Sequence, residues 1–204
     1  MNSAIEDPML QEGSGKLKLA LIGATGAVGL EMVELLAKDK RFSEVSLVIR
    51  KKHEDWNFPE NSNIRYIDMP SVEGMSELKE KLNGYNIFLC TLGSRVGRGT
   101  ETFLKVDYHY PMAFCKLAKE CGAKYYGVCS SGGADANSRF LYMRTKGEVE
   151  RDLKAIPSIY VAIFRPGMLA NRNGEWRIGE KLALCLCACC IPKNDTRVVA
   201  STMI

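Results

Sequence analysis

Short apolar runs alternate with stretches of helical periodicity along most of this chain. Residues 16–22 (KLKLALI) form the first apolar run and are predicted to be a strand. In residues 27–38, Val28, Met32, Leu35 and Leu36 share one face at helical spacing, which predicts a helix. Further strands are predicted at 45–49, 64–67, 86–92, 125–129 and 158–164, the last stopped by Pro166-Gly167. Helices are predicted at 71–82, with Ser71 as N-cap and Gly84 just past the end, at 106–121, closed by Gly122, and at 142–153. No internal repeat or low-complexity linker interrupts the pattern. Residues 1–15 are polar and read as a flexible leader, so a single domain is expected over 16–204. Strand–helix alternation of this kind implies parallel strands joined by crossover helices: a doubly wound α/β parallel sheet in a single domain. Ligands of such sheets bind beyond the carboxyl ends of the strands, which is where candidate chemistry is sought.

Composition narrows the function classes. The chain has 204 residues, 46% hydrophobic and 25% charged, values that exclude a disordered or fibrous protein. Its 28 Lys+Arg against 24 Asp+Glu leave a net charge of +4, spread along the chain with no basic stripe. Nucleic acid is therefore not an expected partner. The opening MNSAIEDPML carries acids and a proline where a secretory signal needs basic and then apolar residues. A reducing, cytoplasmic location is expected, with the nucleus as a second site, and the eight cysteines are expected to be free thiols. The longest apolar run, residues 182–191, is ten residues long. A membrane span needs ~20, so none is expected. Cys185, Cys187, Cys189 and Cys190 fall in that run. No second thiol pair or histidine stands at zinc spacing, and Cys185 and Cys189 share a helical face. A buried apolar helix is thus the first reading, no metal is expected, and a metal site or palmitoylation are the alternatives.

Residues 23–29, GATGAVG, follow the first strand and open the first helix. Gly23, Gly26 and Gly29 fit a dinucleotide loop: one allows the tight turn, one lets backbone approach the pyrophosphate, and one lets helix pack on strand. The helix N-terminus adds unpaired N–H groups and a positive dipole end. An NAD-selective fold usually places Asp or Glu ~20 residues further on, against the ribose 2′-hydroxyl. Here Arg50 stands 21 residues after Gly29 and is followed by Lys51 and Lys52. Cations there suit a 2′-phosphate, so NADP(H) is expected over NAD(H), the alternative being a solvated basic turn.

Tyr142 and Lys146 sit at i and i+4 of a predicted helix and so face one side. Ser130 and Ser131 end the fifth strand, 12 and 11 residues before Tyr142. This is a proton-transfer constellation. A phenol with pKa ~10 needs a neighbouring cation to work near neutrality, and a serine hydroxyl can orient a carbonyl or alcohol.

GATGAVG, the Ser130-Ser131 strand end, Tyr142-x-x-x-Lys146 and Phe164-Arg165-Pro166-Gly167 together resemble the short-chain dehydrogenase/reductase superfamily. A closer resemblance is to the atypical members of the Tat-interacting protein family, also called the CC-three family. It rests on residues 21–29, Ile49-Arg50-Lys51, Leu92-Gly93, Val106-Asp107, SSGGAD at 130–135, Phe140-Leu141-Tyr142, KGEVE at 146–150, FRPG at 164–167 and Gly174-Glu175-Trp176. The likeness covers about residues 16–181. It implies NADP(H) across the strand ends, with Thr25, Gly26, Ala27 and Val28 on the pyrophosphate and Arg50 and Lys51 on the 2′-phosphate. Leu92 and Gly93 would lie along the adenosine side, and Leu169 and Arg172 near the nicotinamide end. Tyr142 would transfer a proton and Lys146 would hold the ribose. No asparagine here is matched to the one that completes the tetrad in many short-chain dehydrogenases. Residues 196–204 resemble the start of the family's terminal helical region, so a short substrate-side region is expected.

Two functions follow from the resemblance. One is an NADP(H)-dependent oxidoreductase acting on a small carbonyl or alcohol substrate. The other is an NADPH-binding regulator with little turnover, engaging a protein partner in transcription, cell-death or trafficking control.

Overall fold

Leu17–Ile22 (β1), Phe42–Ile49 (β2), Ile64–Asp68 (β3), Ile87–Cys90 (β4), Tyr125–Cys129 (β5) and Tyr160–Phe164 (β6) form one sheet in the order β3-β2-β1-β4-β5-β6. Every pairing is parallel. The computed structural model describes residues 16–54, 56–69, 73–170 and 193–204. The leader at 1–15, Ser71, Arg172, residues 174–176 and the cysteines at 185–190 lie outside the described residues. The strand order is that of a doubly wound Rossmann sheet, and it reverses between β1 and β4, where a crevice for a ligand opens.

The central strands β1, β2, β4 and β5 are largely buried on both faces, which is why they read as mostly apolar runs. On one face Leu19, Leu21, Val45, Leu47 and Leu89 pack against helix α1 (Ala27–Leu36) through Val28, Met32, Val33 and Leu36. On the other, Ala20, Ile22, Phe88, Cys90, Tyr126 and Val128 meet helices α2 (Lys79–Leu82), α4 (Tyr110–Glu120) and α5 (Leu141–Lys154). Burial of each large side chain contributes roughly 1.5–3 kcal/mol.

Three elements differ from expectation. The helix expected at 71–82 is a 3₁₀ stretch, Glu73–Leu78, running into α2. Met75 and Leu78, three residues apart, both point into the core, and three residues per turn brings them onto one line. The helix expected at 106–121 begins six residues earlier. Helix α3 (Thr100–Leu104) continues through a π turn, Lys105–His109, into α4. Finally, Met168–Ala170 (β7) and Lys193–Asp195 (β8) pair in parallel as a separate two-stranded sheet, too short to show periodicity. Helix α6 (Thr196–Met203) follows directly, where terminal helical structure was expected. Asp195 caps it by accepting from the Arg197 N–H at 2.7 Å, and its Val199, Ala200 and Met203 join the core around α1.

Candidate active site

The glycine turn is built by close approach. Gly23 has φ +89°, and a Cβ there would lie 2.7 Å from the Thr91 carbonyl carbon and the Leu92 nitrogen. The turn therefore lies flush on the end of β4, where the Thr91 hydroxyl donates to the Gly23 carbonyl at 3.0 Å. A Cβ on Gly29 would come within 2.8 Å of Ala24, so only glycine lets α1 seat on the turn. Gly26 is the N-cap and offers no side-chain acceptor to the first N–H groups of α1. Thr25 and Gly26 are exposed beside it. These residues fit a phosphate: an open helix start whose donors await an anion, in a turn with no room for side chains.

The basic turn after β2 faces the same space. Thr25, Arg50, Lys51, Lys52, His53 and Glu54 line an open cleft of about 470 Å³. Arg50, Lys51 and Lys52 are exposed. The wall behind them is aromatic: the Lys52 ammonium stands 4.9 Å from the Tyr66 ring centre, His53 lies 5.6 Å from Trp56, and Trp56 stacks on Tyr66 at 6.0 Å. Lys51 pairs with Glu54 at 3.6 Å, but both are so exposed that the pair holds Lys51 weakly. His53 is a cleft residue that sequence reasoning left unassigned.

Further along the strand ends, a buried ion pair involves Lys146, one of the residues expected to take part in proton transfer. Lys146 Nζ lies 2.8 Å from Asp107 Oδ1, both side chains almost fully buried. Burial alone would push Lys146 down. The charge of Asp107, helped by Tyr142 and a hydrogen bond, outweighs it and holds the lysine above its ordinary value. The lysine is therefore a fixed cation. Asp107 also accepts the Ser94 N–H through Oδ2 at 2.7 Å, so one carboxylate ties the segment after β4 to the lysine on α5. Gly93, in that segment, has open space up to 3.9 Å from Asp107 Oδ1, and Leu92 is half-buried. Tyr142 is half-buried, its ring 5.9 Å from that of Phe103. Asp107 figures in the sequence only within the Val106-Asp107 likeness, which gives it no role. Its signal in the sequence is a single acid between Val106 and Tyr108, 39 residues from the lysine it serves.

The two serines part ways. Ser130 is buried and its hydroxyl donates to Glu150 on α5, which also receives the Arg165 guanidinium. Ser131 is half-buried, and its hydroxyl makes no hydrogen bond among the described residues. The geometry thus brings Tyr142 and Lys146 together and turns the Ser130 side chain inward. The SSGGAD loop is clamped to α5: Asp135 N–H donates to the Met143 carbonyl at 3.1 Å, and Ala136 lies against Gly147. Leu169 is half-buried in β7 and Arg172 lies outside the described residues. Among the described residues no cluster of His, Cys, Asp or Glu could hold a metal ion, and no helix is long and apolar enough to cross a membrane.

The chain matches an NAD(P)H-binding protein family over residues 23–183. Protein HTATIP2 of Rattus norvegicus is 34% identical over 168 residues, 80% of this chain and 67% of that one. Protein FMP52-2, mitochondrial, of Scheffersomyces stipitis is 32% identical over 160 residues, 77% and 68% of the two chains. Among solved structures, a UDP-N-acetylglucosamine 4-epimerase from Methanobrevibacter ruminantium M1 superposes with TM-score 0.70 at 14% identity, covering 92% of this chain and 72% of that one. MoeE5, solved with UDP-glucuronic acid and NAD, gives TM-score 0.60 at 18% identity over 75% of this chain and 55% of its own. These structures establish the fold alone; the family match gives a nicotinamide dinucleotide as the cofactor class. The relatives also overturn the expected cytoplasmic location, since the FMP52 proteins are named mitochondrial. A search for a basic and then apolar secretory signal does not bear on mitochondrial segments, which are amphipathic rather than apolar.

Proposed function

The chain belongs to the NAD(P)H-binding family, among the atypical short-chain dehydrogenases that include HTATIP2 and FMP52, and from that premise we propose an NADP(H)-dependent oxidoreductase. It moves hydride to or from a carbonyl or alcohol carbon, with Tyr142 transferring the proton. The observation that carries the reading is the buried Lys146–Asp107 pair beside that phenol. In line with its FMP52 relatives, we place the protein at the mitochondrion.

The backbone of Thr25, Gly26, Ala27 and Val28 holds the pyrophosphate, and Arg50 and Lys51 grip the 2′-phosphate. Leu92 and Gly93 flank the adenosine side, and Leu169 the nicotinamide end. Bound there, the dinucleotide would supply or accept the hydride. Ser131 orients the substrate oxygen. Ser130, committed to Glu150, fixes the strand end rather than touching substrate. Tyr142 Oη gives its proton to a carbonyl oxygen, or takes one from an alcohol. The buried, charged Lys146 stands on the same side of α5 as that phenol. Asp107 engages one of the three ammonium donors, leaving two for the ribose and the phenolate oxygen.

Tyr142→Phe tests the reading. Turnover of an aldehyde and ketone panel should fall at least ~100-fold, the scale of a lost general acid, while NADPH affinity stays within about twofold. Unchanged turnover would remove Tyr142 from the chemistry. Tight NADPH binding by a wild-type protein that turns over no carbonyl would favour the regulatory function instead.

Arg50→Ala tests the cofactor choice. Loss of a charge-assisted contact should weaken NADPH by roughly 10–100-fold and leave NADH unchanged. Equal effects on both, measured by calorimetry, would remove the 2′-phosphate from this turn.

A further inference from the structure

We propose that Asn194 is a positioning residue that sets the Ser131 turn and the nicotinamide end of the site, an inference that rests on the cofactor reading above. Three hydrogen bonds form the link. The Ser130 N–H donates to the Phe164 carbonyl at 2.7 Å and the Gly132 N–H to the Pro166 carbonyl at 2.8 Å. These lace the two residues flanking Ser131 to the FRPG turn. The Gly167 N–H in turn donates to Asn194 Oδ1 at 2.6 Å.

The third bond is the unusual one. Gly167 precedes the first residue of β7, so the two-strand ladder supplies its N–H with no backbone partner. The Asn194 side-chain carbonyl stands in for the missing strand. Gly167 is half-buried, and an amide there without an acceptor would be costly. The same residue pairs in register with Leu169, at the expected nicotinamide end. The link has little slack, since a Cβ on Gly132 would stand 3.2 Å from the Pro166 oxygen.

What holds Asn194 gives the arrangement its sense. The next residue, Asp195, caps α6, and α6 packs on α1, where Arg197 reaches Glu31 at 3.3 Å and Glu34 at 3.6 Å. Helix α1 is also the helix whose N-terminus faces the pyrophosphate. Both ends of the dinucleotide site are therefore referenced to one helix: the phosphate end directly, the nicotinamide end through α6, Asn194 and the FRPG turn.

The test uses the full chain with Asn194→Ala, which removes the acceptor, and Asn194→Asp, which keeps an oxygen there. Affinities for NADPH and for 2′,5′-ADP, which lacks the nicotinamide half, are measured beside amide hydrogen exchange at Gly167 and Gly132. Asn194→Ala should weaken NADPH about fivefold, the scale of one net hydrogen bond, with 2′,5′-ADP unchanged and exchange at Gly167 accelerated. Asn194→Asp should restore both readouts. Equal weakening of the two ligands would make Asn194 a general structural residue and overturn the proposal, as would unchanged NADPH affinity. Wild-type protein that protects Gly167 but binds neither ligand would overturn the cofactor reading, and this inference with it.

Discussion

Replacing Asp107 by alanine should cost about 3–5 kcal/mol of stability, the scale for breaking a buried ion pair on one side. Domains of this size are stable by only about 5–15 kcal/mol, so the loss would be a large fraction of the whole. The cause is Lys146, which would be left almost fully buried with its counter-ion gone. The pH dependence separates this cause from a cavity. In the wild type Lys146 is held above its ordinary value, so its contribution is fully present below the unfolded value of ~10.4. It is lost only as pH rises through the still higher folded value. Without Asp107, desolvation dominates and the folded value falls below the unfolded one. The unfolded chain then binds more protons, and stability rises with pH across that window. Urea midpoints should therefore show a larger deficit for Asp107→Ala at pH 7 than at pH 9.5. The double variant Asp107→Leu/Lys146→Met should recover most of the stability, because an apolar pair of similar size can replace a buried ion pair, yet it should lack turnover. An Asp107→Ala protein within 1 kcal/mol of wild type at pH 7 would show that the pair carries little.

Gly147→Ala should also be severe, against what helix propensity alone predicts. Gly147 lies inside α5, where alanine is ordinarily favoured by ~1 kcal/mol. Here a Cβ would stand 2.8 Å from the Ala136 Cα and nearer still to the Ala136 nitrogen and the Asp135 carbonyl carbon. These are backbone atoms and cannot swing aside. Overpacking that displaces backbone costs about 1–3 kcal/mol or more, so the clash outweighs the propensity gain. A net loss of roughly 2 kcal/mol is expected, with a larger effect on turnover, because the loop pushed away is the one that carries Ser131. Thermal unfolding together with carbonyl reduction measures both. A stabilised, active Gly147→Ala protein would mean that the loop has room to move.

What the sequence revealed were local signals, and what it hid were contacts across distance. The glycine turn announces itself because two close backbone approaches, at Gly23 and Gly29, demand glycine within seven residues. Tyr142 and Lys146 are legible because four residues on a helix place two side chains together. Arg50 stands out because a strand end at a fixed distance from the loop should carry an acid and does not. Asp107 is invisible in the same terms: it meets Lys146 only through the packing of two helices, and no periodicity marks a π turn. The choice between Ser130 and Ser131 was equally closed. Both serines lie just past the end of β5, and only the position of Glu150 on α5 shows which hydroxyl turns inward. The link through Asn194 depends on strands three residues long, below what alternation can register.

The π turn at Lys105–His109 has a consequence for how this helix can change over time. It holds one residue more than an α-helical turn would, and Asp107 lies within it, fully buried. Each residue of an α-helix advances the side chains by about 100°. Deleting an uncharged residue of this turn, such as Val106, would restore regular α-helix and swing the carboxylate about a quarter-turn off the lysine, while leaving every strand and every charge in the chain intact. The length of this turn thus matters to the site as much as the identity of any side chain in it. An alignment scored on residue type alone would pass such a deletion as conservative, although it would strip Lys146 of its counter-ion.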